Sequence, residues 1–326
     1  MMAYLARRLT YLLPILLGVN LLTFGLFFFV HGPDSMARTI LGERHVDAEM
    51  IERWKREHGY DLPRLWNPSA RGVEKLTRTI FWQKNVPLMA LEFGRSDFDN
   101  HAIAEAIRAR MGPSLKVTVP MFMVSLVTTV VLAMWIAFHR NTPLDAAVLV
   151  LCVVLMSIST LFYIIGGQYL FARLLRWFPF SGYDEGWAGA RFVLMPVLIG
   201  VLAGMGGQIR YNRTVFLEEI HRDYIRTARA KGLGEGAVLF RHALKNAMIP
   251  ILTSVVVTIP FLIMGNLLLE NFFGIPGLGS YVVDAIQKQD FAVVRAMVYL
   301  GTLLYVAGLW LVDVAYTLVD PRVRLG

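Results

Sequence analysis

A chain of 326 residues that is 56% hydrophobic and only 17% charged, with its charges clumped between long uncharged runs, excludes an ordinary water-soluble globular fold. The formal charge of +8 would suit a nucleic-acid binder, but the basic residues crowd the ends of apolar runs, where they meet anionic headgroups. Membrane lipids are therefore expected as partners and nucleic acid is not. The single cysteine, Cys152, rules out an internal disulfide and reads as a small apolar residue at a helix interface.

A hydrocarbon core of roughly 30 Å takes about 20 helical residues to cross. Six uncharged windows of that order occur, at residues 9–30, 117–138, 146–171, 192–209, 247–269 and 296–319, the last broken only by Asp313. Lipid-exposed backbone must close its own hydrogen bonds, and the runs are too long for barrel strands. The expected fold class is all-α, a polytopic membrane protein with about six transmembrane helices. Arg7 and Arg8 precede the first window as they would in a signal peptide. The window exceeds a usual signal core, however, and HGPDSM after it offers no small-residue cleavage site, so an uncleaved helix is expected.

Lys and Arg in short connections mark the cytoplasmic side. Arg7 and Arg8, Arg140, the basic residues of 210–245 and the terminal Arg322 and Arg324 all fall on one side of a six-helix arrangement, which places both termini in the cytoplasm. The domain map that follows is an N-terminal segment and first helix (1–31), a periplasmic insertion (32–112), a permease-like core (113–319, with an inner loop at 210–246) and a tail (320–326). Inside the insertion, HVDAEMIERWKREHG patterns as an amphipathic helix with Met50, Ile51 and Trp54 on one side and Gly59 as its stop. AIAEAIRARMG reads similarly and leads to Pro113. Trp54, Trp66 and Trp82 fit either a folded cap or interfacial anchoring.

The inner loop is longer than a bare connection needs. Residues 214–231 have helix-forming composition, with Glu218–Arg222 and Asp223–Arg226 spaced for ion pairs on one face. Gly232 follows as a left-handed cap, Gly234 and Gly236 allow a reversal, and a second helix at 237–246 feeds the fifth window. A stiff helix held between two spans transmits a push as a nearly rigid body.

The stretch DYIRTARAKGLGEGAVLFRHALKNAMIP resembles the cytoplasmic signature of permease subunits of ATP-binding-cassette importers, in the dipeptide, oligopeptide and nickel group. YLARRLTYLLPILLGV, EFGRS, FFGIPGLGSYVVDAI and LVDPRVRLG, in that order, resemble the B-type member of such a permease pair from end to end. The resemblance implies the type I importer permease fold. It also implies a coupling helix at Asp223, Tyr224, Ile225, Arg226, Thr227, Ala228, Arg229, Ala230 and Lys231, turning at Gly232, that docks on an ATPase. The general importer motif carries a glutamate and two alanines where this chain has Arg226, Thr227 and Ala228, the basic form of the peptide group. Implied partners are a second homologous permease, two ATPases that carry the ATP and magnesium, and a periplasmic substrate-binding protein. The implied activity is ATP-driven import of short peptides, with nickel, glutathione or another small solute as alternative cargo.

No GxxxxGK[ST] loop occurs, since Lys231 and Gly232 stand in reversed order, so no cofactor is expected in this chain. The seven histidines never pair at helical spacing, which gives no metal or catalytic constellation. Gln208, Ser254, Thr258, Asn266 and Glu270 are polar groups on or beside the fourth and fifth windows. They suit either a translocation path or interhelical hydrogen bonding. Pro250 and Pro260 are expected to kink the fifth helix, the latter beside a gate. The run Phe273, Gly274, Ile275, Pro276, Gly277, Leu278 and Gly279 is turn chemistry, expected with YVVDAIQKQD to touch the binding protein. A stand-alone channel or membrane enzyme would need a charged pore ring or catalytic cluster, and neither is evident in the sequence.

Overall fold

The computed structural model describes residues 2–42, 46–186 and 189–319. The tail 320–326, with Arg322 and Arg324, lies outside them. The described residues are helical almost throughout, with no strand beyond an isolated bridge between Arg95 and Ala102. Four helices are long and apolar enough to cross a membrane: Leu12–Val30, Ile103–Phe138, Ala190–Ile220 and Phe291–Val314. Two bent pairs, Pro143–Ser157 with Thr160–Leu174 and Glu235–Thr258 with Phe261–Phe273, raise the number of spans to six. The chain is a polytopic all-α membrane protein.

Where helices depart from the uncharged windows, local chemistry explains it. The second window is the end of one 36-residue helix, Ile103–Phe138, that absorbs AIAEAIRARMG after its first residue and carries Pro113 and Pro120 inside it. Proline is tolerated within membrane helices where neighbouring groups re-satisfy the freed backbone. The third window breaks at Ile158, where the chain turns extended and bends by 89°. Tyr163 Oη donates to the Leu155 carbonyl at 2.8 Å, satisfying an acceptor released by the break. The fifth bends by 43° where Ile259 and Pro260 separate its halves, while Pro250 stays within continuous helix.

The chain divides into two compact units, one comprising residues up to Met111 with Ser280–Trp310, the other Gly112–Gly279 with the described residues from Leu311. In the first, the end of the N-terminal helix is covered by the Gly32–Leu41 and Ala48–His58 helices. Phe24, Phe28, Met36, Ile51, Trp54, Tyr60 and Ile80 form their common core. Trp54 belongs to that core, stacked on His58 and Tyr60, whereas Trp66 and Trp82 are exposed.

In the second unit the Pro143–Ser157 and Ala190–Ile220 helices approach closely at Gly206, where an added Cβ would stand 2.6 Å from the Cys152 carbonyl oxygen. Cys152 is buried beside Ile136 and Ile209. An ion pair fixes the same two helices: Arg213 Nε and Nη2 reach Asp145 Oδ1 and Oδ2 at 2.9 and 2.7 Å.

Candidate functional site

Asp223–Ala230 is a short amphipathic helix set between the long Ala190–Ile220 helix and the Glu235–Thr258 helix. Its Ile225 and Ala228, one turn apart, are buried among Ala133, Met134, Ala137, Val215, Phe216, Ile220, Val238, Leu239, Ala243 and Ala247. The underside therefore rests on the ends of three helices at once. Fully burying an isoleucine contributes about 1.5–3 kcal/mol. The opposite face carries Asp223, Arg226, Thr227 and Ala230, all exposed.

Both ends of this helix have chemical reasons. The preceding helix stops at Ile220, and Arg222 turns extended. The expected continuous helix over 214–231 is therefore two helices meeting at a corner. Arg222 lies 3.8 Å from Glu219 in place of the anticipated Glu218, while Asp223 and Arg226 pair at 3.6 Å as spaced. Tyr224 donates its hydroxyl to Glu219 across the corner; burial, then that carboxylate, push its pKa up to about 12. At the far end Gly232 has φ +79°. Its N–H donates to the Arg229 carbonyl at 2.9 Å and the Leu233 N–H to the Ala228 carbonyl at 3.4 Å, so two end carbonyls of the helix are satisfied. Lys231 is exposed at this turn. Arg229 clasps Glu235 through two bonds of 2.8 and 3.0 Å, tying the helix to the next one.

Gln208, Ser254 and Thr258 come together. With Phe122, Ser125, Leu126 and Val255 they line a cavity of about 160 Å³. Gln208 Nε2 donates to Asn212, whose own amide donates to Thr129 at 3.2 Å, while Ser254 and Thr258 donate to carbonyls of their own helix. The cavity wall thus offers neutral acceptors and one carboxamide, a lining suited to water or an uncharged polar group.

Asn266 and Glu270 are placed elsewhere. Asn266 caps the helix Leu267–Phe273 by accepting from the Leu269 N–H at 3.0 Å, and its own N–H donates to Glu270 Oε1 at 3.2 Å. Glu270 is fully buried. Gly265 and Gly277 both back onto its carboxylate, and an added Cβ at either would also meet the Ser114 hydroxyl, which accepts from the Leu278 N–H at 2.7 Å. Pro260 is buried at the bend of this pair. Of the run 273–279, Phe273, Ile275, Gly277, Leu278 and Gly279 are buried, and only Gly274 and Pro276 reach the surface.

Sequence reasoning missed a buried polar network in the first unit. Tyr60 donates to Asp97 at 2.9 Å, Asp97 also accepts from the Ala292 N–H at 3.0 Å, and Arg295 donates to Tyr60 and Asn85, each at 3.1 Å. Asn85 in turn bonds Asn20 at 2.6 Å, and Asp290 accepts from Ser96 and from the Asp97 N–H. Burial pushes the Asp97 carboxyl above its ordinary range. The EFGRS stretch was the available signal: its Ser96, with the adjacent Asp97, supplies the partners of Asp290 and Ala292. Among the described residues no group of three His, Cys, Asp or Glu side chains could hold a metal ion.

Residues 129–325 match the family described as the binding-protein-dependent transport system inner membrane component. The chain is 32% identical over 329 residues to a putative peptide transport system permease protein of Brucella abortus (strain 2308), covering 99% of each. It is 27% identical over 349 residues to a dipeptide transport system permease protein of Alkalihalophilus pseudofirmus, covering 99% of this chain and 100% of that one. To a glutathione transport system permease protein of Salmonella choleraesuis it is 30% identical over 325 residues, covering 99% of each.

Proposed function

We propose, for a chain that belongs to the family of binding-protein-dependent transport system inner membrane components, that it is one of two homologous permeases forming a path for short peptides. In this reading two ATPases, which hold the ATP and magnesium, dock on the helix Asp223–Ala230. A periplasmic binding protein delivers cargo from the other side. Both termini face the cytoplasm, residues 32–112 form a periplasmic insertion, and 113–319 form the permease core with its coupling loop at 210–246.

The observation that carries the reading is the two-faced elbow. Ile225 and Ala228 seat it on three helices, Tyr224 and Arg229 lock its corners, and Asp223, Arg226, Thr227 and Ala230 are left outward with no packing role. An exposed face on a rigidly seated helix supports a docking role, because a push on it moves the helices beneath. Peptide cargo is supported by the names of the Brucella and Alkalihalophilus relatives, and glutathione is a second reading supported by the Salmonella one. Gln208, Ser254 and Thr258 are the residues proposed to line the path, with Pro260 as the hinge beside it. Asn266 and Glu270 shape the turn that follows, and Gly274 and Pro276 are the positions of 273–279 open to the binding protein.

The test is Arg226→Glu, with Arg226→Lys as its control, scored by uptake of labelled di- and tripeptides and of glutathione. The expected result is loss of uptake and of ATPase copurification at unchanged membrane yield, with the lysine variant near wild type. Normal copurification and uptake in the reversed variant would remove the elbow as the docking site.

A further inference from the structure

The segment after the first span does not stand clear of the membrane. The apolar span Leu12–Val30 has 19 residues, about 28 Å of helix, close to the thickness of a hydrocarbon core. At its C-terminal end Arg64 lies over the Phe29 ring, 5.0 Å from the centroid. Further along the span, Phe81 meets Phe24 edge-on with centroids 5.1 Å apart. Further still, Asn85 Nδ2 donates to Asn20 Oδ1 at 2.6 Å, and Asn20 Nδ2 donates to the Asn85 carbonyl at 2.9 Å. At 1.5 Å per residue, Phe24 and Asn20 stand about 9 and 15 Å from Val30 along the helix. The chain from Arg64 to Asn85 therefore descends the flank of the span.

A second helix marks the same level. Arg295, which donates to Asn85 at 3.1 Å, is the last charge before the uncharged run 296–312, so hydrocarbon on that helix begins just beyond it. Asn20, Asn85 and Arg295 are all buried and bonded in a chain, which is how polar groups at the edge of hydrocarbon are satisfied. The helical stretch Phe81–Met89 sits at this edge. It buries Asn85 and Leu88 against the protein and presents Trp82, 44% exposed, with Gln83 exposed beside it. An indole with a polar neighbour suits a layer that is half water, because tryptophan joins a large apolar ring to one N–H donor and concentrates at both membrane–water interfaces. Trp66 is the contrast. It is exposed too, but Lys75 lies over its ring at 5.6 Å and its loop meets the span at Phe29, about 13 Å from Asn20. We propose that residues 80–89 lie in the interfacial layer of the bilayer at the C-terminal end of the first span, with Trp82 as their lipid anchor, while Trp66 stands in water. The first span then leaves the hydrocarbon near Phe24, and Phe28 beyond it packs under the Gly32–Leu41 and Ala48–His58 helices. The inference draws on the spans alone and not on the cargo or the elbow.

The experiment is tryptophan emission of the full chain, with whatever subunits copurify, in phosphatidylcholine liposomes brominated near the glycerol or near the chain ends, and in plain liposomes with iodide. Subtracting the emission of Trp82→Phe from that of wild type isolates Trp82, and Trp66→Phe isolates Trp66 in the same way. The expected result is that Trp82 loses most of its emission to the shallow bromines, less to the deep ones and little to iodide. Trp66 should be quenched by iodide and spared by both brominated lipids. Iodide quenching of Trp82 equal to that of Trp66 would put the segment in water, and protection from every quencher would put another polypeptide over it. Strongest quenching by the deep bromines would sink it into hydrocarbon. Each of the three overturns the assignment. A nitroxide on Gln83→Cys, with the buried Cys152 replaced by alanine, gives a reading that leaves Trp82 in place. Its collisions with dissolved oxygen should exceed those with an aqueous nickel chelate, and the reverse order would overturn the proposal.

Discussion

The helices Asp223–Ala230 and Leu267–Phe273 end the same way and then part company. Each closes on a left-handed glycine, Gly232 at φ +79° and Gly274 at φ +66°, with paired bonds back to the last turn. After Gly232 the chain stays at the surface through Ala237. After Gly274 it dives, and Ile275, Gly277, Leu278 and Gly279 are buried. Glycine does two separate jobs here. In the elbow it supplies a backbone angle; in the second turn Gly277 supplies absence of volume, because a Cβ there would lie 2.5 Å from both Glu270 Cδ and the Ser114 hydroxyl.

The largest effect is therefore expected from Gly277→Ala. Glu270 cannot retreat without giving up the Asn266 N–H, and overpacking of a tight site costs about 3 kcal/mol at the upper end of its usual range. Folded yield in the membrane and the unfolding midpoint should both fall clearly. A variant as stable as wild type would mean that Glu270 does not fill the space between the two glycines.

That contrast marks what the sequence could and could not tell. Spans were legible because hydrocarbon forbids charge over a fixed length, and the elbow because Gly232 and the Asp223–Arg226 spacing are local signals. Depth was not legible. Glu270 sits beside an apolar run as a path residue would, yet its burial against Gly265 and Gly277 depends on chain that returns seven residues later in one case and on a positive φ in the other. The break at Ile158 carries no proline or glycine to announce it, and the Asp145–Arg213 and Asp97–Tyr60–Arg295 bonds join residues too far apart in the chain for any spacing rule.

Gly232→Ala should be milder than Gly277→Ala. Nothing stands within 4 Å of the position an alanine Cβ would take, so the only cost is holding an L-residue left-handed, about 1–2 kcal/mol. Such a cost loosens the end of the elbow without unfolding the chain. Hydrogen exchange should speed up at Gly232 and Leu233, whose N–H groups close the cap, while the buried underside at Ile225 stays protected. Exchange spreading through Ile225 would show that the cap, rather than the apolar seat, holds the helix.

The smallest effect belongs to the clasp between Arg229 and Glu235, which joins the elbow to the helix that continues into the membrane. Both side chains are more than a third exposed, at 36% and 47%, and such pairs contribute roughly 0.2–1 kcal/mol. Arg229→Gln should barely move the unfolding midpoint. If the clasp matters because it stiffens a lever, uptake should fall more than stability does, and the exchanged pair Arg229→Glu with Glu235→Arg should recover part of it. If Arg229 instead meets a partner directly, the exchanged pair should be as impaired as Arg229→Glu alone. The elbow's docking face would then extend past Arg226 to its C-terminal end, and the comparison with the buried turn would sharpen: one glycine-capped helix with both its last turn and its outer face given to another protein, the other with its glycines spent wholly on its own packing.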